Sequence, residues 1–122
     1  MSEGKSHLRK FQKELNAGIV ALVLLATLAQ AREPQYGYQI AKHLEKNDEE
    51  NSIMKQGTLY PVLRSLSAAG LLNSYVEPSV SGPPRRYYTI TDAGRTVLDQ
   101  WQDAWVTTRN FVDTMMKDSR HD

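Results

Sequence analysis

The sequence predicts a mostly α-helical fold with a small β-hairpin that projects as a wing. Apolar residues recur at helical spacing over long stretches, and proline and glycine concentrate between two short alternating segments in residues 71–90. The 122 residues, 40% hydrophobic and 24% charged, are typical of one globular domain with a single core and not of a disordered chain.

The residue types that most enzymes need are missing or scattered. The chain has no cysteine, which excludes disulfides, thiolate metal ligands and a cysteine nucleophile. His7, His43 and His121 do not stand at metal-ligand spacing, and the sequence has no glycine-rich phosphate loop or nucleophile elbow. We therefore expect neither an enzyme nor a metal or cofactor site.

The most hydrophobic segment, residues 17–29, is expected to be a core helix. Thirteen residues of helix rise about 20 Å, which is less than the roughly 30 Å of a bilayer core. Patterned sequence follows this segment without a break, which argues against a secretory signal. We expect no membrane span and a cytoplasmic protein.

Three helices are predicted before the hairpin. The first runs from His7 to about Gln30 after six disordered residues, with a break suggested at Asn16–Gly18, and residues 31–37 form a turn. The second helix covers residues 38–46. The third begins near residues 56–58, with Pro61 in its first turn, and ends before a left-handed cap at Gly70. Apolar residues at helical spacing define the buried faces of the second and third helices: Ile40, Ala41, Leu44, Leu59, Val62, Leu63 and Leu66.

The hairpin strands are predicted over residues 71–77 and 85–90, and a last helix capped at Thr91 or Asp92 extends to about Lys117. Three helices followed by a hairpin are the parts of a winged helix-turn-helix domain, whose third helix enters the DNA major groove. An all-α bundle with an accessory hairpin is the alternative. We assign residues 1–15 to an N-terminal arm and the start of the first helix, 16–91 to the DNA-binding domain, and 92–122 to a dimerisation helix and tail.

The distribution of charge supports the winged-helix interpretation. The formal net charge of the chain is only +1. Residues 53–95 nevertheless carry five basic and two acidic side chains. Residues 96–122, in contrast, carry three basic and five acidic side chains. The positive excess therefore falls on the third helix and the hairpin, where phosphate contacts would be made.

Three segments resemble the signature stretches of PadR-type transcriptional regulators. They are QYGYQIAKHL (35–44), KQGTLYPVLRSLSAAGLL (55–72) and GPPRRYYTITDAG (82–94), and the similarity spans residues 17–105. The resemblance implies a homodimeric winged-helix repressor that binds a palindromic operator and is released by a small molecule. The single C-terminal helix is similar to the subgroup in which that helix dimerises together with the first.

The candidate DNA contacts lie on the second and third helices and on the hairpin. Gln56 suits a bidentate pair with adenine and Lys55 suits guanine, although both could be only a solvated helix start. Tyrosine hydroxyls suit phosphate, but a packing role is almost as well supported for Tyr60. Alternation along the strand sends Arg85 and Arg86 to opposite faces, so only one is expected to reach DNA. The full candidate set is Tyr38, Lys55, Gln56, Thr58, Tyr60, Pro61, Arg64, Arg85 and Arg86.

An apolar seam follows the last helix at spacings of 3, 4, 3, 4 and 3 residues. Two exposed tryptophans would form an apolar patch, so we expect the seam to pack against a second copy across a two-fold axis. Trp101 and Trp105 have a second interpretation, a pocket between subunits for a planar aromatic effector. The residues of the seam are Leu98, Trp101, Trp105, Thr108, Val112 and Met115.

Two function classes remain from this sequence. The first is a DNA-binding regulator whose partners are an inverted-repeat operator, a second copy of the chain and a small aromatic effector. The second is a winged-helix module that binds proteins and not specific DNA. The basic third helix and the two arginines of the hairpin favour the first.

Overall fold

Within residues 3–47 and 56–120, the part of the chain that the computed structural model describes, four helices surround a three-stranded sheet. The predicted order of three helices, a hairpin and a last helix is confirmed, and a two-residue strand is additional. The elements are α1 (Glu3–Gln30), β1 (Gln35–Tyr36), α2 (Gly37–Asn47), α3 (Gln56–Ala68), β2 (Leu72–Glu77), β3 (Arg85–Ile90) and α4 (Asp92–Arg120).

Helix α1 is longer than predicted. It begins at Glu3, so the disorder expected for residues 1–6 is wrong from Glu3 onward, and residues 1 and 2 lie outside the described part. The break expected at Asn16–Gly18 is also wrong. The first half of α1 is rich in residue types that favour helix, namely Lys, Arg, Glu, Gln and Leu. The exposed Gly18 lowers the stability of the helix by only about 1 kcal/mol.

The extra length of α1 removes the argument against a membrane span that was based on length. By length and composition alone α1 could cross a membrane, a test that core helices of soluble proteins and signal sequences also pass. The structure places Val20, Leu24, Leu25 and Leu28 of α1 in the protein core. These contacts, and not the helix length, support the assignment of α1 as a core helix.

The core lies where α1 meets α2, α3, the sheet and the start of α4. Leu24, Leu25, Leu59 and Leu63 have no exposed surface, and Ile40 retains 1%. The apolar faces predicted for α2 and α3 are confirmed, with Val62 partly buried at their edge. The sheet contributes Leu72 and Tyr88 to this core, and α4 contributes Leu98.

The two ends of α3 differ in how well the sequence predicts them. The helix begins at Gln56, so Pro61 lies in its second turn and the expectation of a first-turn proline is wrong. The C-terminal cap at Gly70 is confirmed, because this residue has a φ of 79°. The Leu71 N–H donates to the Leu66 carbonyl and the Gly70 N–H to the Ser67 carbonyl, both at 3.0 Å, which is a Schellman motif.

The sheet has the strand order β1-β3-β2, and both pairings are antiparallel. Strand β3 starts and ends at the predicted residues, and β2 begins one residue later than predicted. The segment predicted as a turn (31–37) contains β1, whose Gln35 and Tyr36 oppose Tyr88 and Tyr87 of β3. Two residues are too short for a period-2 pattern, so β1 carries no strand signal in the sequence.

Thr91 joins three elements at one point, which we call the Thr91 junction. Its hydroxyl donates to the Gly70 carbonyl at 2.8 Å and accepts from the Gly94 N–H at 2.9 Å, which caps α4 as predicted. Its backbone N–H donates to the Leu71 carbonyl at 3.1 Å. The end of α3, the end of β3 and the start of α4 are therefore held together.

The Thr91 junction leaves no room for a side chain on Gly94. A Cβ built there would overlap the Leu71 carbonyl and lie 2.8 Å from a side-chain carbon of Ile90. We predict that Gly94→Ala lowers the free energy of unfolding by about 1–3 kcal/mol, the usual cost of overpacking a filled site. Urea unfolding followed by circular dichroism measures this change.

The matched control is Gly57→Ala in the first turn of α3. No atom of the described residues lies within 4 Å of a Cβ at that position. Its stability should stay level or rise by up to about 1 kcal/mol, because alanine is the better helix former. Equal stability of the two variants would show that the junction tolerates a side chain.

Candidate nucleic-acid interface

A groove runs between the hairpin, the start of α2 and the exposed side of α3, and we call it the wing groove. Strand β1 positions Tyr36 beside β3, and α3 positions Tyr60 and Arg64 on the opposite wall. Its lining residues are Tyr36, Gly37, Tyr38, Tyr60, Arg64, Ser79, Ser81, Pro83, Pro84, Arg85, Arg86 and Tyr88.

Three guanidinium groups, those of Arg64, Arg85 and Arg86, line the wing groove, and all three side chains are exposed. Within the described residues, no carboxylate lies within the 4.0 Å limit of an ion pair with any of them. The groove therefore carries three positive charges that no described carboxylate pairs with, which suits a polyanion such as a nucleic-acid backbone.

The two arginines of the hairpin have different partners but share the wing groove. The Arg85 guanidinium carbon lies 4.5 Å from the centre of the Tyr36 ring. An Arg86 N–H donates to the Ser74 hydroxyl oxygen at 3.1 Å. Both side chains line the groove although alternation places them on opposite faces of the strand, and the expectation that only one of them reaches DNA stays a prediction. Arginine side chains are long, so both can reach the same groove even though their positions on the strand alternate.

Tyr60 has the packing role that the sequence suggested, and its phosphate contact stays a prediction. Its ring is half-buried against the core and packs over Gly37, where an added Cβ would lie 2.7 Å from the ring carbon Cε1. The same residue also lines the wing groove. A glycine at the start of α2 is thus needed for the Tyr60 ring to occupy this position.

Tyr87 and Tyr88 point to opposite faces of the sheet, as their alternation predicts. Tyr88 is 5% exposed and packs into the core, whereas Tyr87 is half-buried on the other face. Burial raises the pKa of the Tyr88 hydroxyl above its ordinary value, although the charges of Arg86 and Arg64 act to lower it. The phenol therefore stays neutral at the wall of the groove.

Four tyrosines form a continuous row across the outer face of the sheet, and we call it the tyrosine row. Tyr38 stacks beside Tyr36 at 6.5 Å between ring centres, Tyr36 meets the edge of Tyr87 at 5.6 Å, and Tyr87 stacks on Tyr75 at 5.5 Å. The Lys42 ammonium lies 5.5 Å from the centre of the Tyr38 ring. Sequence reasoning missed Tyr36, Tyr75 and Lys42: Tyr36 joins the row through the pairing of β1 with β3, Tyr75 through the register of the hairpin, and Lys42 through its position four residues after Tyr38 on α2.

The exposed side of α3 continues from the wing groove. Thr58, Pro61 and Arg64 are all exposed and recur every three residues along this side. Gln56 opens the helix, and its side chain lies outside the described part, as does the whole of Lys55. The exposed stripe and the groove share Arg64, so the candidate DNA residues of α3 and of the hairpin belong to one surface.

The hairpin tip is uncharged. Val80 is fully exposed, the Ser79 hydroxyl donates to the Ser81 carbonyl at 2.8 Å, and Gly82 has a φ of 104°. The positive charge of the hairpin therefore lies on Arg85 and Arg86, at the end of β3 that adjoins the uncharged loop of residues 78–84.

The seam predicted on α4 is only partly available to a second copy. Leu98 is 6% exposed and belongs to the core of its own chain, which removes it from the predicted interface. Trp101 packs half-buried at the edge of that core, whereas Trp105, Val112 and Met115 are 40%, 43% and 51% exposed. The polar member of the seam, Thr108, is exposed as well.

Further exposed apolar side chains flank the seam, and sequence reasoning missed them. On α1 they recur at spacings of three and four residues, a helical signal that lay within a segment rich in charges. On α4 they are neighbours of seam positions. These residues are Leu8, Phe11, Leu15, Val106, Phe111 and Met116.

The described residues contain no group of three or more His, Cys, Asp or Glu side chains that could hold a metal ion. His7 lies 3.7 Å from Glu3 at the start of α1, and His43 is exposed on α2. His121 lies outside the described part.

Solved structures of similar fold come from several microorganisms. A PadR family transcriptional regulator from Eggerthella lenta DSM 2243 is 31% identical, with a TM-score of 0.76 over 92% of this chain and 94% of that chain. A PadR-like transcriptional regulator from Bacillus cereus strain ATCC 14579 is 26% identical, with a TM-score of 0.69 over 84% and 96%. A transcriptional regulator from Clostridium thermocellum is 27% identical, with a TM-score of 0.72 over 83% and 93%.

These structures confirm the predicted fold class, a winged helix-turn-helix with one long C-terminal helix. No curated protein matches the sequence significantly. The family model described as "Transcriptional regulator PadR-like family" matches residues 24–100, which include α2, α3, the hairpin and the start of α4. The chain belongs to the PadR-like family of transcriptional regulators, which are DNA-binding regulators and not enzymes.

Proposed function

We propose that this chain is a cytoplasmic repressor that binds an inverted-repeat operator as a homodimer and is released by a small aromatic effector. In this proposal residues 16–91 bind DNA, and residues 92–122 hold the partner subunit together with the arm of residues 1–15. The observation that carries the proposal is the wing groove, whose three guanidinium groups have no described carboxylate partner beside the exposed stripe of α3.

In the proposed complex α3 lies in the major groove and reads bases from its N-terminal end. Gln56 pairs with adenine and Lys55 with guanine, while Thr58 and Pro61 contact the neighbouring backbone. The exposed side of α3 supports this orientation, since Thr58, Pro61 and Arg64 all face away from the core.

The wing groove receives the phosphate backbone beside the major groove. Arg64, Arg85 and Arg86 supply positive charge, and Tyr38 and Tyr60 supply hydroxyl donors from the opposite wall. In this proposal the two hairpin arginines contact phosphate and do not enter the minor groove. Their contribution is then the same for every DNA sequence.

The partner subunit covers the exposed apolar side chains of α1 and α4. These two helices contact each other within the chain. Charge is scarce among the side chains concerned, and a patch of this composition is typical of an obligate interface. A two-fold axis through it would set the two α3 helices about 34 Å apart, one turn of DNA.

An effector site between the subunits is the proposed means of release. Trp105 is 40% exposed and the half-buried Trp101 lies one turn before it, whereas the wing groove contains neither residue. An aromatic molecule between these rings would favour a different spacing of the two α3 helices, which read the bases in this proposal. Operator binding would then be weaker.

A winged-helix module that binds only proteins is the competing function. Fluorescence anisotropy separates the two, with a duplex that the protein selects from a random-sequence pool as the probe. We expect binding that weakens steeply as salt rises, since phosphate contacts release counterions. Failure to enrich any sequence, together with an absence of salt dependence, would favour the protein-binding module.

The double variant Arg85→Ala/Arg86→Ala is expected to weaken binding to the selected duplex and to unrelated duplexes alike. Loss of two phosphate contacts in each subunit, four in the proposed dimer, should make the negative slope of log affinity against log salt shallower by about 4. Anisotropy titrations at several salt concentrations give this slope.

Arg95→Ala is the matched control for the loss of arginine charge. Its guanidinium lies 3.5 Å from the Ala29 carbonyl oxygen and does not line the wing groove. The salt slope of this variant should equal that of the wild type. A change half as large as that of the hairpin variant, in proportion to the single charge removed, would mean that net charge alone sets affinity.

Gln56→Ala should relax the sequence preference and leave the salt slope unchanged. Loss of one bidentate base contact removes about 1–3 kcal/mol of discrimination at one base pair of each half-site. Competition between the selected duplex and single-base variants measures it. Uniform weakening across all duplexes would remove Gln56 from base recognition.

Phe111→Lys should raise the dissociation constant of the dimer at least about tenfold, because it places an unpaired charge in an apolar interface. Phe111 is 66% exposed, so the change does not disturb the core of the chain. Sedimentation equilibrium measures the constant. Asn110→Lys, on the polar side of the same helix, should leave it unchanged, and equal effects of the two variants would contradict the proposed interface.

A further inference from the structure

The tyrosine row shares Tyr36 and Tyr38 with the wing groove, where the Tyr36 ring contacts the Arg85 guanidinium. The Arg85 guanidinium lies 4.5 Å from the centre of the Tyr36 ring, within the range of a cation–π interaction. Glu77 opposes Arg85 across the hairpin, yet no described carboxylate lies within the 4.0 Å limit of an ion pair with this guanidinium. The aromatic ring is therefore the contact that orients this side chain.

The Tyr36 ring is itself held firmly. Its backbone pairs with Tyr87 through β1, and its ring lies between those of Tyr38 and Tyr87 at 6.5 and 5.6 Å. Tyr87 in turn stacks on Tyr75. A guanidinium resting on this row is fixed relative to α2, because Tyr38 belongs to that helix.

We propose that Tyr36 is a positioning residue, which holds the Arg85 guanidinium in the wing groove before DNA arrives. This inference rests on the proposed function, in which Arg85 contacts phosphate. A free arginine side chain samples many rotamers and must lose that freedom when it binds a phosphate. The cation–π contact orders the side chain in the unbound protein, so less freedom is lost on binding.

Arg86 provides an internal comparison for this role. It lines the same groove and follows Arg85 in the chain, but it donates a hydrogen bond to Ser74 on β2, and no aromatic ring of the described residues makes a cation–π contact with it. Removal of the Tyr36 ring should therefore affect the phosphate contact of Arg85 and leave that of Arg86 unchanged.

A double-mutant cycle tests the coupling, with the selected duplex as the probe at one fixed salt concentration. Tyr36→Leu should weaken binding about two- to fivefold, the range expected for an exposed cation–π contact. In an Arg85→Ala background the same change should have no further effect. Tyr36→Phe keeps the aromatic ring and should bind within about twofold of the wild type.

The control cycle combines Tyr36→Leu with Arg86→Ala. In this background the two- to fivefold loss should persist in full, because Tyr36 does not contact Arg86. A merely structural effect of Tyr36→Leu would appear equally in the Arg85→Ala and Arg86→Ala backgrounds. Equal losses in the two backgrounds would therefore overturn the positioning role.

The outcomes separate this inference from the proposed function. If the wild type binds no duplex, the proposed function fails. If Arg85→Ala weakens binding but the cycle shows no coupling, only the role of Tyr36 fails. If Arg85→Ala has no effect, Arg85 does not contact phosphate and the role of Tyr36 falls with it, while DNA binding stands.

A second measurement does not depend on how well the Tyr36→Leu variant folds. In the nuclear magnetic resonance spectrum of the free wild-type protein, the ring current of Tyr36 should shift the Arg85 side-chain protons upfield. The Arg86 protons serve as the unshifted reference. Arg85 protons at their ordinary positions would overturn the proposal.

Discussion

Three hydrogen bonds at Thr91 hold the working parts of this fold together. The hydroxyl bonds to the Gly70 carbonyl and to the Gly94 N–H, and the backbone N–H bonds to the Leu71 carbonyl. One residue thus ends the hairpin, caps α4 and satisfies carbonyls at the end of α3. These bonds tie the end of α3 to the start of α4, and the Arg95 side chain adds a hydrogen bond from α4 to the Ala29 carbonyl at the end of α1.

Much of this arrangement follows from the sequence, because its local signals agree with one another. Gly70 after an apolar helix predicts the left-handed cap, Thr91 before a helical pattern predicts the cap of α4, and the proline-rich segment predicts the hairpin. Each signal acts over a few residues, and none is opposed by tertiary contacts. When local signals agree in this way, the fold can be predicted from a single amino-acid sequence.

The features that the sequence did not predict depend on distant residues. Strand β1 exists because Tyr36 meets Tyr87, about fifty positions along the chain, and two residues carry no periodic signal of their own. The seam of α4 shows the opposite error, since its regular spacing includes Leu98, which packs in its own chain's core. Spacing describes which residues share a face but not which neighbour covers that face. The candidate site was accordingly predicted by residue type, while its grouping around one groove required the structure.

Beyond Trp101, the second part of α4 projects from the core as a rigid arm. The first turns of α4 are held in place by the Thr91 junction and by the burial of Leu98. Residues 102–120 extend beyond the core for about 28 Å. A tilt of α4 by about 10° about its first turns displaces the C-terminal end of the helix by about 5 Å over that length. In the proposed dimer, such a tilt of α4 would change the distance between the two α3 helices.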